Sequence, residues 1–324
     1  MDKIAFPYRS NTHLPLLHVI AQSGSWEKHG LDVQYNYKIG SAEAHLAVLR
    51  GDVEFVGGNH VSTYGHRARG DQWVYLGQTL NTVPRQLAVR ADSGINGVSD
   101  LREKLVGSRG SHPKLNDWLH LKQRGLDADR DDVRIVDQLP THGDSLDPTN
   151  PHAEDETEPL WHWVRDRKVD AAFLTPPASV FAKRAGLKVI DVEALPMIWF
   201  TTISSSLRFV EKNPDIVERF LKGMIEGIHF FKTQPEKAIR IIRDLYRIEG
   251  TLDQEAAEFT HSNLAGLLEP KLYPTMAAIS NVYEEAIRQD QDAKRVNPMA
   301  LWDLHYLRHL DDIGFIDQLY DNGK

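Results

Sequence analysis

The strongest constraint on this chain is a repeated alternation of short apolar segments with longer amphipathic ones. In the amphipathic segments apolar residues recur every three or four positions, which is the spacing of one helix face. In the first part of the chain the predicted strands are 4–6, 31–37 and 53–56, and the predicted helices are 15–28 and 41–50. This strand–helix–strand rhythm predicts an α/β fold with a parallel sheet covered by helices.

The rhythm returns in the middle of the chain, and the last third is helical. The second set comprises predicted strands at 87–90, 104–107, 133–136, 171–174 and 187–190, and predicted helices at 114–124, 160–167 and 179–185. After it, Asn213-Pro214-Asp215 predicts a helix start, because an N-cap residue, a proline at the first helical position and an acid in the first turn coincide. Further helices are expected from about residues 235, 253, 273 and 298.

Length and composition limit the classes of protein to which the chain can belong. A single core rarely grows beyond roughly 250–300 residues, so a chain of 324 residues is expected to form two lobes. The net charge of −8 argues against binding to nucleic acid or to an anionic membrane surface. The absence of cysteine excludes disulfides, zinc–thiolate sites and thiol nucleophiles. No apolar run approaches the length of a membrane span.

The first residues of the chain indicate in which compartment of the cell the protein is expected. Met1-Asp2-Lys3-Ile4-Ala5-Phe6 enters a predicted strand directly, without the basic and apolar segments of an export signal before it. We therefore expect a cytoplasmic protein if Met1 is the natural start. A periplasmic protein is expected if an export signal has been removed.

One stretch near the N-terminus resembles a known family. Residues 23–55 read SGSWEKHGLDVQYNYKIGSAEAHLAVLRGDVEF. The order of their elements is similar to that of the binding proteins for alkanesulfonates, taurine and nitrate, a family that also includes the thiamine-pyrimidine synthases. Further matches in the same order and spacing are Ala91-Asp92-Ser93-Gly94-Ile95, Asp100-Leu101, Gly125-Leu126, Val169-Asp170-Ala171-Ala172 and Asn213-Pro214.

The resemblance implies a two-lobed periplasmic-binding-protein-like fold of type II, with a ligand in the cleft between the lobes. Lobe one is expected to hold residues 1–86 and 197–324, and lobe two residues 87–196. In open α/β sheets, ligands bind where strands end and helices begin. The cleft is therefore expected to be lined by loops at such positions.

The segments that meet that condition are four loops, at residues 10–13, 40–43, 57–60 and 107–112, and two wall segments, at residues 175–177 and 199–201. Glycines let the backbone approach a ligand, and the free N–H groups of a helix start favour an anion. The substrate-binding residues predicted from these segments are Asn11, Thr12, His13, Ser41, Asn59, Arg109, Ser111, His112, Thr175 and Trp199.

Several of these residues also have a purely structural interpretation. Ser41 and Ser111 could serve only as helix caps. Arg109 could be a surface charge rather than the partner of a carboxylate or sulfonate. Trp199 could stack on an aromatic ligand, or it could pack in the core near a hinge.

Histidines are unusually frequent at the predicted cleft. The chain has 15 histidines, and His13, His45, His60 and His112 fall in or beside these loops. Histidine can bind a metal or transfer a proton near neutral pH. No HExxH or other tight ligand spacing occurs, so a divalent metal stays an open possibility without assigned ligands, and no other cofactor is indicated.

The aromatic sulfinate desulfinases, which share this scaffold, offer a comparison residue by residue. Their histidine in the helix after the glycine turn corresponds to His45, and their glycine pair to Gly57-Gly58. Their nucleophilic cysteine corresponds to Asn11, which cannot attack sulfur, and their arginine corresponds to Phe55. The cysteine-rich iron motif of the synthases is absent from this sequence. The scaffold therefore carries over, and the covalent chemistry does not.

Two functions remain open from the sequence. The favoured one is a cytoplasmic lyase or hydrolase that removes a carboxyl, sulfino or acyl group from a small, often aromatic, organic anion. In that enzyme His45 is the general acid or base, and Glu43 or His60 orients it or the substrate. The alternative is a solute-binding protein for a sulfonate-like or other small anion. Such a protein needs only cleft donors, and its partner is an ABC permease.

Overall fold

A computed structural model of the chain describes residues 1–108, 113–136, 158–249 and 254–321. The chain divides into two compact units. Unit 1 comprises Met1–Thr82 and Pro196–Lys324, and unit 2 comprises Val83–Leu195. The lobe boundaries expected from the sequence were 86/87 and 196/197.

The N-terminal part of unit 1 alternates strands and helices, which confirms the α/β class. Strands β1 and β2 pair in parallel, with Asp2 opposite Leu31 and Ile4 opposite Val33. The elements are β1 Asp2–Ala5, α1 Leu14–Gln22, α2 Ser25–Lys28, β2 Leu31–Gln34, α3 Ser41–Arg50, β3 Val56–Gly57 and α4 Thr63–Ala68.

Two details of this part correct the sequence analysis. The single helix expected over 15–28 is two helices, because Gly24 adopts a left-handed conformation (φ 74°) that separates α1 from α2. The strand expected over residues 53–56 is shorter than predicted, because β3 comprises only Val56–Gly57. The Glu54 carboxylate accepts the N–H of Ala5 at 2.7 Å, so a side chain takes the place of a strand-ladder bond there.

Two long strands connect the units. These are β4, Trp73–Val89, and β8, Lys188–Ser206. From the sequence, only the segments 87–90 and 187–190 are predicted as strands. Every residue of β4 from Trp73 to Asn81 is buried, and a strand buried on both faces shows no alternation of apolar and polar residues. In unit 1, β8 lies between β3 and β4, and it runs antiparallel to β3.

Unit 2 has the strand order β4-β7-β5-β6. Strand β5 is parallel to both β6 and β7, whereas β4 runs antiparallel to β7. The sheet is thus mixed rather than wholly parallel as expected, because the long β4 enters unit 2 against the direction of β7. The other elements are β5 Leu105–Gly107, α5 Pro113–Gln123, β6 Arg134–Val136, α6 Leu160–Arg165, β7 Ala171–Leu174 and α7 Ala178–Arg184.

The core of unit 2 has two layers, one on each face of the sheet. Ala171 and Phe173 belong to one apolar cluster, and Ala172 and Leu174 belong to the other. Successive side chains of a strand point to opposite faces, so β7 contributes to both layers. This is the covered sheet that the strand–helix rhythm predicts.

The remainder of unit 1 is helical, and α9 begins at Pro214, which confirms the predicted start. Its Phe220 packs against Phe6 (ring centroids 5.0 Å apart) and Trp26 (5.7 Å), and it thereby supports the end of β1. None of the described helices is long and apolar enough to cross a membrane. The elements are α8 Leu207–Lys212, α9 Pro214–Thr233, α10 Pro235–Glu249, α11 Gln254–Leu267, α12 Met276–Gln289, α13 His305–Asp312 and α14 Phe315–Asp321.

Candidate functional site

The loops that follow β1 and β3 are joined by backbone hydrogen bonds inside unit 1. The N–H of Gly57 donates to the carbonyl of Pro7 at 2.9 Å, and the N–H of Gly58 donates to the carbonyl of Thr202 on β8 at 2.8 Å. These bonds bring three segments together into what we call the strand-end site. Its residues are Arg9, His13, Gly57, Gly58, Asn59, Phe200 and Thr201.

His13 lies buried in the strand-end site. Its Nδ1 is hydrogen-bonded to the Thr201 hydroxyl at 2.9 Å, and its ring stacks on Phe200 with the centroids 5.0 Å apart. Burial, and secondly the positive charge of Arg9, lower the pKa of His13 to about 3. The imidazole is therefore neutral near pH 7 and offers a hydrogen bond rather than a charge.

Arg9 supplies the positive charge of the strand-end site. One of its terminal nitrogens donates to Asn59 Oδ1 at 2.9 Å. Gly58 lies beneath it at φ 115°, and a Cβ atom there would come within 3.1 Å of Arg9 Cγ. Asn59 (φ 68°) and Phe200 (φ 67°) also adopt left-handed conformations, which are costly for residues with a side chain and cluster at functional sites.

The other predicted binding residues have varied positions. Thr12 is exposed, and its hydroxyl donates to Ser10 Oγ at 3.1 Å. Trp199 is partly buried on β8, with its ring 5.9 Å from that of Phe200. Thr175 is partly buried directly after β7 in unit 2. Arg109, Ser111 and His112 lie outside the described residues, and so do the side chains of Asn11 and Ser41.

His45 belongs to a different group of side chains in unit 1. Its Nε2 donates to Asp71 Oδ2 at 2.7 Å, and Nδ1 of His66 lies 3.3 Å from the same oxygen. We call His45, His66 and Asp71 the histidine–aspartate cluster. Glu43, one of the partners predicted for His45, is exposed on α3. The other, His60, is buried between β3 and α4.

Strand β4 connects the strand-end site with the histidine–aspartate cluster. Trp73 stacks on His45 with ring centroids 5.1 Å apart, and the Tyr75 hydroxyl donates to the carbonyl of Asn59 at 3.2 Å. Residues two apart on a strand point to the same face. One face of β4 therefore contacts both groups.

Sequence reasoning missed three residues of these two groups. Arg9 directly precedes the predicted segment 10–13, so its position was a usable signal. His66 and Asp71 lie on and after α4, a helix that the sequence analysis did not predict. Without that helix, no spacing connected them to His45.

Unit 2 holds a buried polar group next to the predicted loop 107–112. The Ser108 hydroxyl donates to the Asp117 carboxylate, and Arg85 Nε lies 3.6 Å from the other oxygen of that carboxylate. Burial raises the pKa of Asp117 to about 6, although Arg85 opposes the shift. Burial, followed by the charges of Arg85 and Arg124, lowers the pKa of His120 to about 3. Ser108, Asp117, Arg85 and His120 are all buried in unit 2.

Solved structures similar to this chain include two sulfonate-binding proteins. The alkanesulfonate-binding protein SsuA from Xanthomonas axonopodis pv. citri, bound to MOPS, has a TM-score of 0.64 and 16% identity, over 94% of this chain and 99% of its own. The periplasmic aliphatic sulphonate-binding protein SsuA from Escherichia coli has a TM-score of 0.65 and 16% identity, over 93% and 99%. At this identity the likeness shows the fold.

An enzyme shares the same fold. The desulfurization enzyme DszB, solved as a mutant in complex with biphenyl-2-sulfinic acid, has a TM-score of 0.62 and 16% identity, over 95% of this chain and 98% of its own. No match was found among curated protein sequences. The family model described as NMT1/THI5 like matches residues 11–238, which is more than half of the chain. The chain therefore belongs to the NMT1/THI5-like family.

Proposed function

We propose that this protein binds a small organic anion, of the sulfonate or carboxylate type, at the strand-end site and acts as a solute-binding protein. The observation that carries the proposal is the placement of the half-buried Arg9 near the buried, neutral His13, whose ring stacks on Phe200. The sulfonate-binding proteins of the same fold support it. An ABC permease is the partner that this function requires.

The chemistry of the strand-end site favours an anion over a cation. Arg9 is a permanent positive charge with donors in a planar fork, which suits the oxygens of a sulfonate or carboxylate. The seven residues that define the strand-end site include no aspartate or glutamate. The ring of Trp199, which is partly buried, provides an apolar surface for the organic part of the ligand, and the buried ring of Phe200 packs beside it, with the centroids 5.9 Å apart.

The experiment is a calorimetric titration of the purified protein with benzenesulfonate, benzoate, MOPS and benzylamine. A hydrogen bond to a charged group contributes roughly 1.5–3 kcal/mol, so Arg9→Ala is expected to weaken anion binding by about 10- to 100-fold. Arg9→Lys keeps the charge and should lose less. The matched control is Arg50→Ala, which removes an exposed arginine paired with Asp52. Preference for benzylamine, or anion affinity unchanged in Arg9→Ala, would contradict the proposal.

A second candidate function is the enzyme that removes a carboxyl, sulfino or acyl group from such an anion. The specific observation in its favour is the 2.7 Å hydrogen bond from His45 to Asp71, because a carboxylate that orients a histidine recurs in acid–base catalysis. Mass spectrometry of each anion after long incubation with stoichiometric protein separates the two candidates. Recovery of unchanged ligand supports the binding protein. Conversion that His45→Ala slows by two or more orders of magnitude supports the enzyme.

A further inference from the structure

Three potential metal ligands meet at one point in unit 1, away from the residues that form the strand-end site. They are His45 on α3, His66 on α4, and Asp71 in the loop between α4 and β4. One ligand atom from each lies within 4.8 Å of those from the other two. Among the residues that the structure describes, this is the one group of three or more such side chains with that geometry.

The fold holds these side chains in place by packing. The ring of His45 contacts both that of His66 (centroids 3.9 Å apart) and that of Trp73 (5.1 Å apart). The N–H of Asp71 donates to the carbonyl of His66 at 3.2 Å, and Arg67 donates to the carbonyl of Asp71 at 3.2 Å. The cluster is thus ordered by neighbours that would not bind the metal.

The Asp71 carboxylate keeps its charge available for a cation. It pairs with the two histidines and, within the described part of the chain, with no lysine or arginine. The nearby Arg69 is occupied instead by Asp290 at 2.6 Å and Asp292 at 3.2 Å. Asp71 and His66 have side chains 35% and 38% exposed, so an ion can reach the cluster from solvent.

Two imidazoles and one carboxylate are a donor set for first-row transition metals. Zinc bonds of about 2.0–2.2 Å in tetrahedral geometry place neighbouring ligand atoms about 3.3–3.5 Å apart. The observed separations from Asp71 Oδ2 are 2.7 Å to His45 Nε2 and 3.3 Å to His66 Nδ1. Both separations are within about 1 Å of the tetrahedral spacing. The ligand nitrogens of the two histidines lie within 4.8 Å of each other, so the partly exposed His66 and Asp71 need to move only modestly, relative to His45, to hold an ion.

We propose that His45, His66 and Asp71 form a binding site for a divalent first-row transition-metal ion of the zinc class, with a fourth position open to solvent. In such a site Nε2 of His45 and Oδ2 of Asp71 exchange their mutual hydrogen bond for bonds to the ion. The imidazole proton then resides on Nδ1, which leaves Nε2 the lone pair that binds the ion. Nδ1 of His45 is buried and has no hydrogen-bond partner among the described residues, so the usual outer support of a ligating histidine is missing. We therefore expect this site to bind zinc less tightly than a closed site with four protein ligands.

The test is a titration of chelator-treated protein with zinc chloride by calorimetry, and with cobalt chloride by visible absorption. We expect one equivalent bound per chain and cobalt bands of a low-coordinate site. His66→Ala and Asp71→Asn each remove a ligand and should weaken zinc binding by on the order of 100-fold or more, since even loss of outer support costs 10- to 100-fold. Both side chains are partly exposed, and circular dichroism verifies that each variant is folded.

The matched control is His305→Ala. His305 also pairs with a carboxylate, that of Asp303, but the pair lacks a second imidazole. Zinc affinity should be the same in this variant as in the wild type. Absence of saturable zinc binding would overturn the proposal, and so would binding that survives both His66→Ala and Asp71→Asn. Because anion binding is measured separately, failure here leaves the proposed function of the strand-end site untouched.

Discussion

His13 in the strand-end site and His45 in the histidine–aspartate cluster are almost equally buried, yet the ligands that we propose for their sites carry opposite charge. His13 is 4% exposed and His45 is 5% exposed. Each ring stacks on an aromatic neighbour, His13 on Phe200 with an interplanar angle of 9° and His45 on Trp73 with an angle of 13°. Burial and stacking therefore do not explain the difference between the two sites.

The hydrogen-bond partner explains it. His13 meets the neutral hydroxyl of Thr201, with Arg9 as the nearby charge, so its surroundings suit an anion. His45 meets the carboxylate of Asp71, whose negative charge suits a cation. In a site of low dielectric the sign of the adjacent charge decides which ligand is stabilised. A histidine in a predicted binding loop is thus informative only when its partner is known.

The largest expected effect is a reciprocal loss of binding. Asp71→Asn should weaken zinc binding by on the order of 100-fold or more and change anion affinity by less than about twofold, as for independent sites. Arg9→Ala should do the reverse, with a loss of about 10- to 100-fold for the anion. Calorimetry of both variants with zinc and with benzenesulfonate measures all four values. Loss of both ligands in either variant would show that the two sites are one.

The next largest expected effect is on stability: His13 should make the free energy of unfolding depend on pH. Its pKa is lowered from 6.5 to about 3 in the folded protein. Below pH 6.5 the unfolded chain takes up a proton that the folded protein does not, so the free energy of unfolding falls as pH drops towards 3. At about 1.4 kcal/mol per pH unit, His13→Asn should remove about 2 kcal/mol of the loss between pH 6.5 and pH 5.

Urea denaturation at several pH values measures this contribution. The asparagine amide can still hydrogen-bond to Thr201, so the variant tests the charge rather than the contact. The exposed His309→Asn is the control, and it should leave the pH dependence of the wild type in place. An unchanged pH dependence in His13→Asn would mean that His13 is protonated in the folded protein, which would weaken the contrast with His45.

The smallest effect concerns how tightly the strand-end site is packed. A Cβ atom at Gly57 would lie 3.3 Å from Thr201 Cγ2 and 3.7 Å from His13 Nδ1. Gly57→Ala is therefore expected to lower the free energy of unfolding by about 1 kcal/mol, the lower end of overpacking effects. Gly266→Ala, on the exposed face of α11 with no atom within 4 Å of the new methyl, should instead stabilise by about 0.5–1 kcal/mol. Urea midpoints compare the two, and equal shifts would show that the strand-end site is loosely packed.

Local chemistry in the sequence was enough to predict much of the fold. The start of α9 at Pro214 was predicted from Asn213-Pro214-Asp215. The proline stands at the start of the helix and the acid in its first turn, whereas the side chain of Asn213 makes no capping hydrogen bond. The alternation of strands and helices predicted the α/β class, because the spacing of apolar residues in each segment indicates whether a strand or a helix buries them. The long strands β4 and β8 were not predicted in full. The first nine residues of β4 are all buried and show no period, and residues typical of turns (Gly77, Asn81 and Pro84 in β4, and Pro196 in β8) interrupt the apolar pattern.

The sequence by itself determined which residue types stand near the ends of the early strands, including His13, His45 and Asn59. Only the tertiary structure decided their partners. Thr201 meets His13 across 188 residues, and Asp71 meets His45 across 26. These pairs depend on how β8 lies beside β3 and on the turn that α4 makes before β4. Such contacts are fixed by the packing of distant segments, and no local periodicity records them.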